Sequence, residues 1–91
     1  MSFLNQPHVL VVDDDPDVRD MVCDYLQEHE LRATPCSSGR EMIACFDSQA
    51  IDLVLLDLRL PGEDGLDLAR QLRARATVPI ILLTGRTEEA D

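Results

Sequence analysis

Four short apolar runs alternate with amphipathic segments along the 91 residues of the chain. Residues 8–12 (HVLVV) and 52–57 (DLVLLD) are almost continuously apolar and are each followed or closed by a carboxylate, which is typical of strands buried on both faces of a sheet. A weaker strand is predicted over residues 31–35. A fourth is predicted over residues 78–84, where Pro79 is tolerated because it stands at the beginning of the strand.

Helical periodicity and capping residues predict three helices between these strands. The first begins at Pro16 and continues to His29, the second follows a capping box that starts at Ser38, and the third runs from Asp64 to about Ala76. The apolar positions at helical spacing are Val18, Met21, Val22, Tyr25 and Leu26, then Met42, Ile43 and Phe46, then Leu66, Ala69 and Leu72. This alternation predicts an α/β fold, an open parallel sheet with helices on both faces.

Composition and charge narrow the classes of function. Eighteen acidic residues against eight basic ones give a net charge of −10, which repels phosphate backbones and argues against direct nucleic-acid binding by this chain. The three cysteines lack C-x-x-C spacing, so we interpret them as small buried residues and not as a disulfide framework or a zinc site. No apolar run approaches the length of a membrane span, and we expect a cytoplasmic chain.

Polar residues follow three of the four predicted strands. Asp13 and Asp14 follow the first strand, Asp57 closes the third and Thr84 closes the fourth. Because the carboxyl ends of parallel strands share one edge of the sheet, we expect these side chains to converge. Clustered carboxylates repel one another unless a cation neutralises them, and their oxygens suit Mg²⁺. Asp15 is instead interpreted as the cap of the first helix.

Three motifs, in order and at matching spacing, resemble the receiver domain of bacterial two-component response regulators. They are residues 12–16 (VDDDP), residues 54–65 (VLLDLRLPGEDG) and residues 79–86 (PIILLTGR). The resemblance covers nearly the whole chain, and residues 83–86 are similar to the subclass that carries a winged-helix DNA-binding domain. It implies a flavodoxin-like, doubly wound fold with strand order 2-1-3-4.

The resemblance also implies a role for each polar residue. Asp57 would accept a phosphoryl group from a sensor histidine kinase. Asp14 and Asp57 would bind Mg²⁺ directly, together with the main-chain carbonyl of Arg59, and Asp13 would act through a metal-bound water. Thr84 would bind a phosphoryl oxygen through its hydroxyl. The chain would then be a signalling domain and not an enzyme, apart from slow self-dephosphorylation, and would switch a downstream output such as transcription.

The chain departs from the family pattern in what is missing after its last motif. Receiver domains continue with a helix, a fifth strand ending in a lysine and a last helix, whereas all eight basic residues here are arginine. We therefore expect residues 1–91 to be a C-terminally truncated receiver, with a DNA-binding output domain downstream in its parent. Without the lysine it should be a poor phospho-acceptor. An uncovered fourth strand and sheet face should favour self-association.

Two alternatives remain open at this stage. In a haloacid-dehalogenase-like phosphatase, Asp13 would be the nucleophile and Asp15 the general acid, but Asp57 would have no role. In a receiver-like interaction module, the acidic cluster would never accept phosphate.

Overall fold

The computed structural model describes residues 6–83, which form a four-stranded sheet and three helices. The elements are β1 (His8–Val12), α1 (Pro16–Glu28), β2 (Arg32–Cys36), α2 (Gly39–Ser48), β3 (Leu53–Asp57), α3 (Gly65–Arg75) and β4 (Ile80–Leu83). All strand pairs are parallel, in the order β2-β1-β3-β4. The predicted α/β class, flavodoxin-like arrangement and strand order are confirmed.

The central strand β1 is buried along its whole length, as its continuous apolar sequence predicts. Its side chains alternate between two cores. Leu10 and Val12 belong to the larger core, which α2 and α3 cover, whereas Val9 and Val11 pack with Cys23 of α1. The helices therefore cover both faces of the sheet.

Each helix begins at the capping residue predicted for it. The Asp15 carboxylate accepts a hydrogen bond from the main-chain N–H of Asp17 at 2.9 Å, and the Ser38 hydroxyl accepts one from Glu41 at 3.2 Å. Asp64 caps α3 in the same way. These bonds satisfy donors that the first helical turn leaves unpaired. No helix within residues 6–83 combines the length and apolarity that a membrane crossing requires.

Three strands differ from their predicted limits. β3 begins at Leu53, one residue later than predicted. β2 lies one residue later than predicted, at Arg32–Cys36. β4 begins at Ile80, and Val78 is buried in the core as part of the preceding connection. Pro79 has no N–H to donate and contributes only its carbonyl, which accepts from the N–H of Val54. The predicted end of this strand, Thr84, lies outside the described residues.

The predicted apolar faces of α1 and α3 are partly wrong. Met21 and Tyr25 are 62% and 60% exposed, and Leu66 is 50% exposed. The buried position in α1 is Cys23, and those in α3 are Gly65, Leu68 and Leu72, of which only Leu72 belongs to a predicted apolar face. Apolar residues three and four apart can form two adjacent stripes, and packing against the sheet buries only one of them.

The cysteines behave as small core residues. Cys23 and Cys36 are buried, Cys45 is partly buried, and none forms a disulfide. Burial, together with the neighbouring Cys45 thiol, raises the pKa of Cys36 to about 12. This thiol is therefore protonated and unreactive at neutral pH.

The two leucines of α3 provide a test of this packing. Leu72 is fully buried, so Leu72→Ala should lower the free energy of unfolding by about 2–5 kcal/mol. The matched change at half-exposed Leu66, Leu66→Ala, should cost less than about 1 kcal/mol. Urea denaturation followed by circular dichroism measures both, and equal losses would contradict this orientation of α3.

Candidate functional site

Three carboxylates meet at the carboxyl edge of the sheet. One oxygen from each of Asp13, Asp14 and Asp57 lies within 4.8 Å of the others. The strand register explains this arrangement, because Val12 of β1 pairs with Leu56 of β3, and the next residue on each strand is an aspartate. The structure thus brings together three of the residues that the sequence singled out.

Main-chain hydrogen bonds orient the two buried carboxylates. Asp13 and Asp57 are only 9% and 7% exposed, whereas Asp14 is exposed. Asp13 Oδ1 accepts from the N–H of Asp15 at 2.9 Å, and Asp57 Oδ1 accepts from the N–H of Arg59 at 2.9 Å. Each bond orients its carboxylate through one oxygen.

None of the three carboxylates forms an ion pair within residues 6–83. Burial raises the pKa of Asp13, and the Asp57 and Asp14 carboxylates raise it further, against the opposing hydrogen bond from Asp15. The ion pair formed in this part of the chain joins Arg75 to Asp47, remote from the cluster. Such a site favours a proton or a cation.

The chemistry of the donor set fits a small divalent cation. All the donors are hard carboxylate oxygens, and the exposed Asp14 leaves the site open to water. Mg²⁺ prefers one or two carboxylates and retains several waters, so these residues could hold it. The geometry fits Mg²⁺ better than zinc, which prefers nitrogen and sulfur ligands.

Asp15 serves the helix and not the cluster. Its carboxylate caps α1 through Asp17, and among the described residues the three-carboxylate group contains Asp57 in its place. This arrangement does not favour the phosphatase alternative, which needs Asp15 as a general acid and leaves Asp57 without a role.

Two predicted ligands are less fully defined. Thr84 lies outside the described residues, so its role stays a prediction, although Leu83 directly before it pairs with Asp57. The N–H of Leu58 donates to the Leu83 carbonyl at 2.9 Å, so β4 ends at the same edge of the sheet. The part of the Arg59 carbonyl in metal binding also stays a prediction.

Two side-chain contacts beside the site were not predicted from the sequence. Arg19 is only partly exposed, and its guanidinium donates to the main-chain carbonyl of Asp13 at 2.8 Å. Glu63, in the loop after β3, accepts from the N–H of Gly39 through both carboxylate oxygens, at 3.0 and 3.1 Å. Periodicity and motif spacing gave no signal for this second contact, because its partners are 24 residues apart.

Comparison with known proteins identifies relatives with this arrangement. Residues 9–91 match the response regulator receiver domain family. The transcriptional regulatory protein AruR of Pseudomonas aeruginosa is 47% identical over 90 residues, which cover 93% of this chain and 37% of AruR. The transcriptional regulatory protein BaeR of Escherichia coli is 38% identical over 87 residues, which cover 96% of this chain and 36% of BaeR. The chain therefore spans little more than a third of the length of these relatives.

The fold also matches solved structures. The response regulator TrrA of Thermotoga maritima, crystallised with Mg²⁺ and BeF, superposes with a TM-score of 0.83 at 36% identity, covering 91% of this chain and 73% of TrrA. TrrA in complex with the histidine kinase ThkA gives the same TM-score and identity, covering 90% of this chain and 72% of TrrA. Because the family match extends from β1 through β4 and to residue 91, this chain belongs to the response regulator receiver domain family.

Proposed function

We propose that this chain is a phospho-accepting signalling domain and not an enzyme, with Asp57 as the acceptor of a phosphoryl group from a sensor histidine kinase. The observation that carries the proposal is the placement of Asp57, which is buried at the end of β3 and grouped with two other carboxylates. The TrrA complex with its kinase supports the class of donor, since TrrA shares 36% of its aligned residues with this chain.

The same carboxylates are the proposed Mg²⁺ ligands. Asp14 and Asp57 would bind the metal directly with the Arg59 carbonyl, and Asp13 through a water. Bound Mg²⁺ would screen the charge on the incoming phosphoryl oxygens. The geometry supports this assignment, because one oxygen of each carboxylate lies within 4.8 Å of the others. Burial and the nearby Asp57 and Asp14 carboxylates also raise the pKa of Asp13, as expected where no cation is bound.

The chain's own residues would position the reacting atoms. The Arg59 N–H holds Asp57 Oδ1 and leaves Oδ2 to attack phosphorus. A new O–P bond then forms while the bond from phosphorus to the donor nitrogen breaks, and its electron pair returns to the donor histidine. Thr84 is proposed to bind a phosphoryl oxygen through its hydroxyl. Positioning supplies most of the rate enhancement in such transfers.

The output is proposed to be regulation of transcription in the cytoplasm. AruR and BaeR are transcriptional regulatory proteins, and both are longer than this chain. The net charge of −10 opposes DNA contact by the receiver itself, so DNA binding would belong to a separate output domain.

Self-association through β4 or the adjoining sheet face is a further part of this proposal. Ile81, Leu82 and Leu83 are 48%, 40% and 36% exposed on a strand at the edge of the described sheet. Ile81 pairs with Leu55, which is itself only partly buried on the α1 face. An exposed apolar edge favours pairing with a second copy.

Mapping of the phosphorylated residue tests the acceptor. After incubation with an acyl phosphate and Mg²⁺, followed by borohydride trapping and mass spectrometry, we expect a weak label on Asp57, because the chain has no lysine to pair with the phosphoryl group. It should disappear without Mg²⁺ and in Asp57→Asn. A label on Asp13 would instead support the phosphatase alternative, and no label on either residue would support the interaction module.

The charge of Asp13 should make stability depend on pH. Its folded pKa lies above the ordinary 3.8, so its ionised form destabilises the fold at neutral pH, and this penalty vanishes as the pH falls through the folded pKa. Without divalent cations, Asp13→Asn should therefore raise the free energy of unfolding at pH 7, with a gain that shrinks towards pH 4. Urea denaturation across this range measures the effect. Asp20→Asn, on the exposed surface of α1, is the charge-matched control, and a destabilised Asp13→Asn at pH 7 would contradict the electrostatic account.

Self-association should depend on salt. Because the chain carries a net charge of −10, repulsion between copies weakens as salt screens it, so high salt should favour dimers or larger assemblies. Sedimentation velocity at tens of micromolar protein in low and high salt measures this directly. Ile81→Lys, at the most exposed of the three β4 residues, should restore the monomer. A wild-type monomer under both conditions would refute the proposal.

A further inference from the structure

Glu63 joins two parts of the site that are far apart in sequence. It lies in the loop between β3 and α3, and its carboxylate accepts from the N–H of Gly39, the first residue of α2, at 3.0 and 3.1 Å. A carboxylate at this position also interacts favourably with the positive end of the α2 dipole. The contact ties the loop after Asp57 to the start of a different helix.

The Glu63 carboxylate and the Leu68 side chain pack closely against Gly39. Gly39 is buried, and a Cβ built on it would meet Glu63 Oε1 and come within 2.6 Å of Leu68 Cδ2. Any larger residue would have to displace the Glu63 carboxylate and also shift the buried Leu68 side chain. The absence of a side chain at Gly39 is therefore what allows the close approach.

The segment that leads into α2 also supports Asp13. The Asp13 N–H donates to the carbonyl of Cys36, the last residue of β2, at 3.1 Å. The short connection from Cys36 to Gly39 thus contacts Asp13 at one end and Glu63 at the other. On the opposite side, the loop that carries Glu63 begins at Asp57 and includes Arg59.

We propose that Glu63 is a positioning residue for the metal and phosphoryl site. By holding the loop after Asp57 against the N-terminus of α2, it fixes the Asp57 side of the cluster relative to the Asp13 side. This inference rests on the proposed function, since it assigns Glu63 to the same Mg²⁺ site. Glu63 acts through the hydrogen bond to Gly39 and not as a ligand.

Mg²⁺ binding to the full chain, measured by isothermal titration calorimetry, tests the role of Glu63. Glu63→Ala should weaken binding by about tenfold, the scale seen when a residue that orients metal ligands is lost. Glu63→Gln removes the same charge but keeps an acceptor oxygen for the Gly39 N–H, so it should remain within about twofold of wild type. Glu28→Ala, on the exposed end of α1, is the control for loss of one negative charge.

Gly39→Ala provides an independent test of the same contact. Its methyl group displaces the Glu63 carboxylate, and shifts Leu68, while leaving the loop sequence intact, so it should also weaken Mg²⁺ binding severalfold. If both changes act through one hydrogen bond, the double variant should bind Mg²⁺ no worse than Glu63→Ala alone. Thermal melts without Mg²⁺ would reveal whether Glu63→Ala folds. If it does not, Gly39→Ala alone decides the question.

The outcomes separate this inference from the proposed function. If the wild-type chain binds no Mg²⁺, or if Asp57→Ala binds Mg²⁺ as tightly as wild type, both the proposed function and the positioning role are overturned. Wild-type binding that is unchanged in Glu63→Ala would overturn the positioning role alone. Equal losses in Glu63→Ala and Glu63→Gln would overturn it as well, because they would assign the effect to charge and not to the hydrogen bond.

Discussion

The pairing of β1 with β3 is the interaction on which the site depends. Its register places Val12 opposite Leu56, so the residues that follow, Asp13 and Asp57, emerge side by side at the carboxyl edge. A shift of one residue along either strand would turn its side chains to the other face and separate the carboxylates. The geometry of the cluster is thus a consequence of strand pairing, and the turns after each strand only refine it.

Hydrophobic burial stabilises the pairing of β1 with β3 against the repulsion between the carboxylates that this pairing brings together. The strand residues just before the aspartates, Val12 and Leu56, are fully buried in the larger core, which α2 and α3 cover. Two buried carboxylates and an exposed third lie at the end of these strands without a paired cation in the described residues. The stability of the apolar layers therefore offsets the repulsion among the carboxylates at this edge of the sheet. A bound metal ion would relieve that repulsion, which is the basis of the site's affinity for a cation.

The loop after β3 transmits this arrangement to the helices. Hydrogen bonds within the loop orient Asp57, while Glu63 reaches α2 and Asp64 caps α3. Because a single short segment contacts Asp57, the proposed acceptor, and two helices, a change at Asp57 has a direct mechanical route to both. Such short connections between a charged site and packed elements are the physical basis of switching in signalling domains.

The sequence by itself determined the elements, their order and the acidic cluster. Strand-length apolar runs, the caps at Asp15, Ser38 and Asp64, and the carboxylates closing the strands are local signals, because strand burial and capping depend on residues close in sequence. The tertiary structure decided which helical stripe is buried, leaving Met21 and Leu66 exposed. It also decided the contacts of Arg19 with Asp13 and of Glu63 with Gly39. These contacts join residues on different elements, or a side chain to a main-chain group, and neither periodicity nor spacing encodes them, since only the packed sheet and helices bring the partners together.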